Sequence, residues 1–237
     1  MAPKDPAIRA WWPSTQSLDL VEGPAQDVAE ATHVEFTRFA AGERVVASRH
    51  RFADLDSAFQ SVPDFENVVT FLLVLPTRSK WTVLWNNSFL CDGYDSLCWC
   101  LTLNHGLTTM HWGAHDEWTT FQSGASFTYR RRGATDVAER SVYSGQEDKR
   151  WLFHATGEPL DEENTAEYAA RRKRDRLNEQ SVLSLLQRLG ARPWSEDFYD
   201  LPGQECFTIS RPSPSLAVKR ARAQVLRPPG AARARSP

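Results

Sequence analysis

The sequence predicts an α+β fold: an antiparallel meander sheet of about six or seven strands with helices packed against it. Three observations carry that reading. Between Val68 and His154 apolar and β-branched residues recur in short runs of period two. The connections between those runs are short and rich in Gly, Pro or charge, which suits hairpins and leaves no room for crossover helices. Helical stripes with capping signals stand before and after this region, at Asp27 and at Val182. The implied organisation is an irregular arm over residues 1–24, one α+β domain over 25–210, and a disordered tail over 211–237.

The elements follow in order. The arm contains Pro3, Pro6, Pro13 and Pro24, and its paired Trp11 and Trp12 are placed to dock it on the body. Asp27 with Glu30 reads as a helix cap before Val28, Ala31, Phe36 and Phe39, with Gly42 as the stop. Val34-Glu35-Phe36 also alternates like a strand, so both readings stay open. Residues 44–52 read as a strand and 54–59 as a short helix halted before Pro63. Strands at 68–75 and 81–86 are joined by a turn at 76–80.

Next, 96–104 and 107–113 read as a hairpin about a His105-Gly106 turn, which pairs Trp99 with Trp112 and Cys100 with His111. Strands at 126–131, 139–143 and 150–154 continue the pattern. If the Asp92-Gly93 turn is tight, Trp81, Val83 and Trp85 fall on the cysteine side, and both sheet faces need covering. A wider loop removes that inference. Asn164 with Glu167 opens a polar helix running through Arg171–Arg176, with a bend near Asn178. Val182, Leu185, Leu186 and Leu189 then form an apolar stripe, ended by Gly190 and Pro193. Trp194, Phe198 and Tyr199 pack the chain back, and 205–210 reads as a last edge strand.

Charge and composition narrow the function. Residues 211–237 carry seven Lys/Arg and no acid, so the rest of the chain holds 21 basic against 30 acidic side chains. A body near −9 is a poor non-specific binder of nucleic acid. Proline and arginine without aromatic content mark the tail as disordered. The longest apolar run, Phe71 to Leu75, is far short of the roughly 20 residues that cross a bilayer, and no signal peptide is evident. A Cys91–Cys98 bridge across the Asp-Gly turn is conceivable. The favoured reading is reduced thiols and a cytoplasmic address.

Two constellations could carry chemistry. Cys98, Cys100 and His111, with Cys91, His105 or His115 as a fourth ligand, offer thiolate and imidazole donors of the kind zinc binds. A single residue between cysteines on a strand is a poor match for such a site, and buried cysteine commonly packs as a small apolar group. A Cys100–His111 nucleophile pair would lack an oxyanion site. Asp92, Asp95, His115, Asp116 and Glu117 form the second group, suited to acid–base or metal chemistry, yet turn formation and solvated loops explain them equally. No G-x-S-x-G turn and no phosphate-binding loop occurs. Five acids in 158–167 followed by five bases in 171–176 read as a self-complementing charged segment or a docking surface.

The expectation is a cytoplasmic protein-binding module of the immunity or adaptor kind. It would present acids and aromatics to another protein of basic character, with no cofactor, no membrane and no specific nucleic acid. Trp118 with Asp116 and Glu117 is the first candidate contact, followed by Trp11 and Trp12. The alternative is a hydrolase or zinc-binding protein centred on Cys98, Cys100 and His111, with His115 as a further zinc ligand.

Overall fold

A computed structural model describes residues 17–40, 42, 44–61, 68–86, 95–115, 124–133, 136–148 and 150–212. Its strands are β1 (Ser17–Glu22), β2 (Val46–His50), β3 (Val68–Pro76), β4 (Trp81–Asn86), β5 (Thr109–His115), β6 (Gly124–Arg132), β7 (Val137–Glu147), β8 (Arg150–Thr156) and β9 (Cys206–Pro212). Among the described residues they form one nine-stranded antiparallel sheet in the order β2-β9-β3-β4-β1-β5-β6-β7-β8. The helices are α1 (Ala25–Phe39), α2 (Leu55–Gln60), α3 (Asp95–His105) and α4 (Glu179–Arg188). The fold is α+β with an antiparallel sheet, as read, but with nine strands where six or seven were expected.

Alternation along each strand sends side chains to two opposed cores. Leu18, Leu20, Leu73, Trp81, Val83, Trp85, Met110, Trp112 and Phe127 lie beneath α2, α4 and the Phe198-Tyr199 segment. Val21, Leu72, Val74, Leu84, Phe207 and Ile209 lie beneath α1 and α3. Every residue of β4 is therefore buried and both faces of the central strands are covered, but Trp81, Val83 and Trp85 lie on the face opposite α3 and its cysteines, not on the cysteine side as expected. Each fully buried aliphatic or aromatic side chain here contributes about 1.5–3 kcal/mol of transfer free energy. On the second face the described helices reach β6 and the near side of β7.

Several expectations are corrected. Residues 96–104 are helical, because Leu97, Cys98, Leu101 and Thr102 make one buried stripe at helical spacing. The intended hairpin turn is instead the helix stop. Gly106 takes the left-handed conformation at φ 70°, and its N–H donates to the Thr102 carbonyl while Leu107 N–H reaches Leu101. Trp99 is thus not beside Trp112, whose cross-strand neighbours are Leu18 and Phe127. Likewise His111 faces Asp19 and Thr128, not Cys100.

Ser17–Glu22, read as part of an irregular arm, is a central strand between β4 and β5. Strand β9 is interior, between β2 and β3, so the strand expected at the edge is not there. Helix α1 begins after Pro24 without a side-chain cap, which places Asp27 inside its first turn. The polar helix expected before Leu177 is two 3-10 turns, Thr165–Ala169 and Lys173–Asp175. Asn164 bonds the Glu167 side chain rather than capping the backbone, so the capping box never closes. Residues 1–16, with Trp11 and Trp12, and the tail beyond Pro212 lie outside the described residues.

Candidate functional site

Helix α3 lies on the second face over β1, β5 and β6, and a cluster of polar side chains is sealed beneath it. Asp19 of β1 is wholly buried, at 0 % exposure. It sits in register with His111 of β5, and its Oδ1 lies 2.7 Å from the imidazole Nδ1. Burial alone would push the His111 pKa down. The hydrogen bond and charge of Asp19, helped by Asp95 and opposed by Arg130, carry it above its ordinary 6.5. The Cys98 thiol also hydrogen-bonds Asp19 from the helix above. Burial and the Asp19 charge hold that thiol far above its usual pKa, so it stays protonated. Thr109 adds a hydroxyl shared with Thr102 at 3.1 Å.

A second polar tie holds the start of α3. Arg130 of β6 donates Nη1 and Nη2 to the two Asp95 oxygens at 2.6 and 2.9 Å, and Nε to Glu139 at 2.6 Å. This planar fork is the geometry for which guanidinium is suited. At the far end Glu35 of α1, almost wholly buried, accepts from Asn104 and His105 of α3 and from Arg38. Arg132 donates to the Leu103 carbonyl. Helix α3 is therefore pinned at its start, middle and end.

The large apolar side chains exposed among the described residues fall on two helices, Val34 and Phe39 on α1 and Trp99 and Leu103 on the outer side of α3. Trp99 is 37 % and Leu103 36 % exposed, one turn apart. The Arg130 guanidinium lies 5.8 Å from the Trp99 ring centroid, a cation–π contact that fixes the indole in place. Alongside lies the sheet face of β6 to β8, where Thr128, Ser141, Tyr143 and Leu152 remain half-buried under no described helix. On the opposite face a cavity of about 530 Å³ separates Tyr129 and Arg131 from the loop at 158–162. Its walls mix both charge signs, which selects no single ligand charge.

The residues named from the sequence fare unevenly. Trp118, Asp116 and Glu117 fall in the connection between β5 and β6, outside the described residues, as does Cys91. His115 closes β5, but its side chain is not described. Cys98 and Cys100 are both free thiols that diverge on the helix: Cys98 turns to Asp19, and Cys100 toward Glu35 and Arg38. Among the described residues no three His, Cys, Asp or Glu side chains are grouped to hold a metal ion.

Sequence reasoning missed Asp19, Asp95 as an Arg130 partner, and Trp99 as a surface residue. Asp19 had a signal, a single carboxylate inside the otherwise apolar run Leu18 to Val21. Comparison with protein-family models, with curated proteins and with solved structures returns no match.

Proposed function

We propose that this chain is a protein-binding module, of the immunity or adaptor kind, that docks its partner on the outer side of α3 and the adjoining face of β6 to β8. The observation that carries the reading is Trp99, an exposed indole on a helix fixed by three separate polar ties. Apolar packing through Leu97 and Leu101 would anchor α3 at less desolvation cost than buried ions require. The polar ties add position, and a pre-positioned aromatic side chain loses little entropy on binding. Locally Asp95 and Glu139 are matched by Arg130 and Arg132, so the basic character of the partner follows from the acidic balance of the body as a whole. The acids of the β5–β6 connection, Asp116 and Glu117, belong to the same reading, as does a cytoplasmic setting. Among the described residues no helix is long and apolar enough to cross a membrane.

The test is capture from native cells with tagged protein, run in parallel for wild type, Trp99→Ala and Val34→Ala. Val34 is a similarly exposed apolar residue on α1. A partner lost with Trp99→Ala, by roughly thirtyfold in affinity, and kept with Val34→Ala supports the reading. A partner indifferent to Trp99 sinks it.

One observation favours the hydrolase alternative: an imidazole oriented by a buried carboxylate is the arrangement of a general base. Cys98 does not supply the nucleophile, since it contacts Asp19 and is held protonated. A hydrolytic activity abolished by His111→Gln in a folded protein would promote this reading over the first.

A further inference from the structure

We propose that two copies of this chain pair reversibly through the free edge of β8, antiparallel about a two-fold axis at Phe153. The inference does not rest on the Trp99 surface. Strand β8 ends the sheet, with β7 on one side and no described strand on the other. The β7–β8 connection is residues 148–149, closed by the register pair Glu147 and Arg150. In such a two-residue hairpin the closing pair exchanges hydrogen bonds, and the pattern then alternates. Leu152, His154 and Thr156 therefore turn their backbone groups to β7, while Trp151, Phe153 and Ala155 turn theirs outward. No described residue hydrogen-bonds those outward groups.

Natural sheets protect such edges with charge, proline or brevity. The other edge, β2, does so: it is five residues long, largely exposed and carries Arg49. Strand β8 is seven residues long and has no Lys, Arg, Asp, Glu or Pro between Trp151 and Thr156. Its Trp151, Leu152 and Phe153 are half-buried apolar residues, and the Lys173–Asp175 turn packs against the strand through its face, over Ser144 of β7. Its sequence is also self-complementary in one register. With Phe153 opposite its own copy, Trp151 meets Ala155 and Ala155 meets Trp151. Every outward N–H and C=O then finds a partner, and a large ring faces a small methyl. Arg150 falls opposite Thr156, so no like charges meet along the seam.

The size of the contact sets its strength. A single seven-residue strand pair is a contact smaller than the ~1,200–2,000 Å² that stable interfaces bury, so the pair is weak and reversible. The Lys173–Asp175 turn packed against β8 and the two arginines before it carry four exposed cations, Arg171, Arg172, Lys173 and Arg174, against one acid, Asp175, and this net positive segment would approach its counterpart in the dimer. Salt screens that repulsion, so pairing strengthens as ionic strength rises. An acidic strand from a different protein on this edge would show the opposite dependence.

The experiment is sedimentation equilibrium of the full chain from about 1 to 100 µM, at about 50 and 500 mM NaCl, with hydrogen exchange at matched concentrations. The expected mass climbs from 26.9 kDa toward twice that value, more steeply at high salt, while the amides of Trp151, Phe153 and Ala155 slow. Ala155→Pro removes only an outward donor and should leave a folded monomer throughout. Should that variant lose its fold, Thr156→Arg, which sets a guanidinium against Arg150 of the copy at both ends of the seam, should give the same monomer at about 50 mM NaCl. A wild-type monomer at 100 µM overturns the proposal. So does a dimer that survives either substitution, one that salt dissolves, or one whose Trp151, Phe153 and Ala155 amides exchange at the monomer rate.

Discussion

Replacing His111 by Leu removes the imidazole that hydrogen-bonds the buried Asp19 carboxylate while roughly keeping the volume of the side chain. Asp19 is 0 % exposed and would keep the Cys98 thiol as a donor while losing the imidazole that bonds its Oδ1. Breaking a buried pair on one side costs about 3–5 kcal/mol, because the remaining charge stays desolvated. For a chain of this length that corresponds to a fall in Tm of about 10 °C. Adding Asp19→Asn removes the charge itself and should restore at least half of the loss, a coupling readable from a double-mutant cycle in urea.

The pH dependence has a definite sign. His111 is more basic folded than unfolded, so its contribution is full below about pH 6.5 and disappears as pH rises through the elevated folded value. His50 acts oppositely: burial lowers its pKa, so its contribution holds above about 6.5 and is lost as pH falls. The wild-type profile is therefore the sum of two opposed slopes, and His111→Leu should expose the His50 slope alone. A loss under about 1 kcal/mol, with no rescue by Asp19→Asn, would show that the carboxylate is not sealed beneath α3.

The remaining predictions concern the same helix and its neighbours. Trp99→Ala should change stability by about 1 kcal/mol or less, since the ring is partly exposed and loses chiefly its contact with Arg130, as urea melts would show. Arg130→Lys should cost about 2 kcal/mol by the same measurement, because an ammonium cannot bond both Asp95 oxygens and Glu139 at once. Gly157→Ala should cost about 2 kcal/mol or more in thermal melts: its φ is 78°, and an added methyl would press on the Glu139 carbonyl. A thiol reagent should modify Cys100 well before Cys98 in the native protein, because only Cys100 is partly exposed.

What the sequence disclosed depended on how far local pattern and tertiary environment agreed. Strands β3, β4 and β6 to β8 were legible because their period-two runs are bounded by strong turn residues. Helix α4 was legible because Val182, Leu185 and Leu186 share one face and Asn178 caps it. Helix α3 was misread because its apolar residues run almost all the way round, so alternation of Trp99, Leu101 and Leu103 matched a strand equally well. There the deciding signal was Gly106, which serves a helix stop as readily as a hairpin turn.

Strand β1 was hidden by Asp19, a charge that reads as surface until its partner His111, 92 residues away in sequence, is placed beside it. The same holds for the site. A thiol and an imidazole were expected to meet across a hairpin. Instead the Cys98 thiol and His111 are joined through Asp19, a contact that local spacing does not encode.

The central claim is that Trp99 and its surroundings meet a protein partner. Its most direct test is to place a photo-crosslinking phenylalanine analogue at position 99 in the native host, with position 34 as the control. Irradiation should give a discrete adduct with one protein from position 99 and none from position 34, and the adduct should vanish when unlabelled wild-type protein competes. Identical background from both positions would contradict the claim.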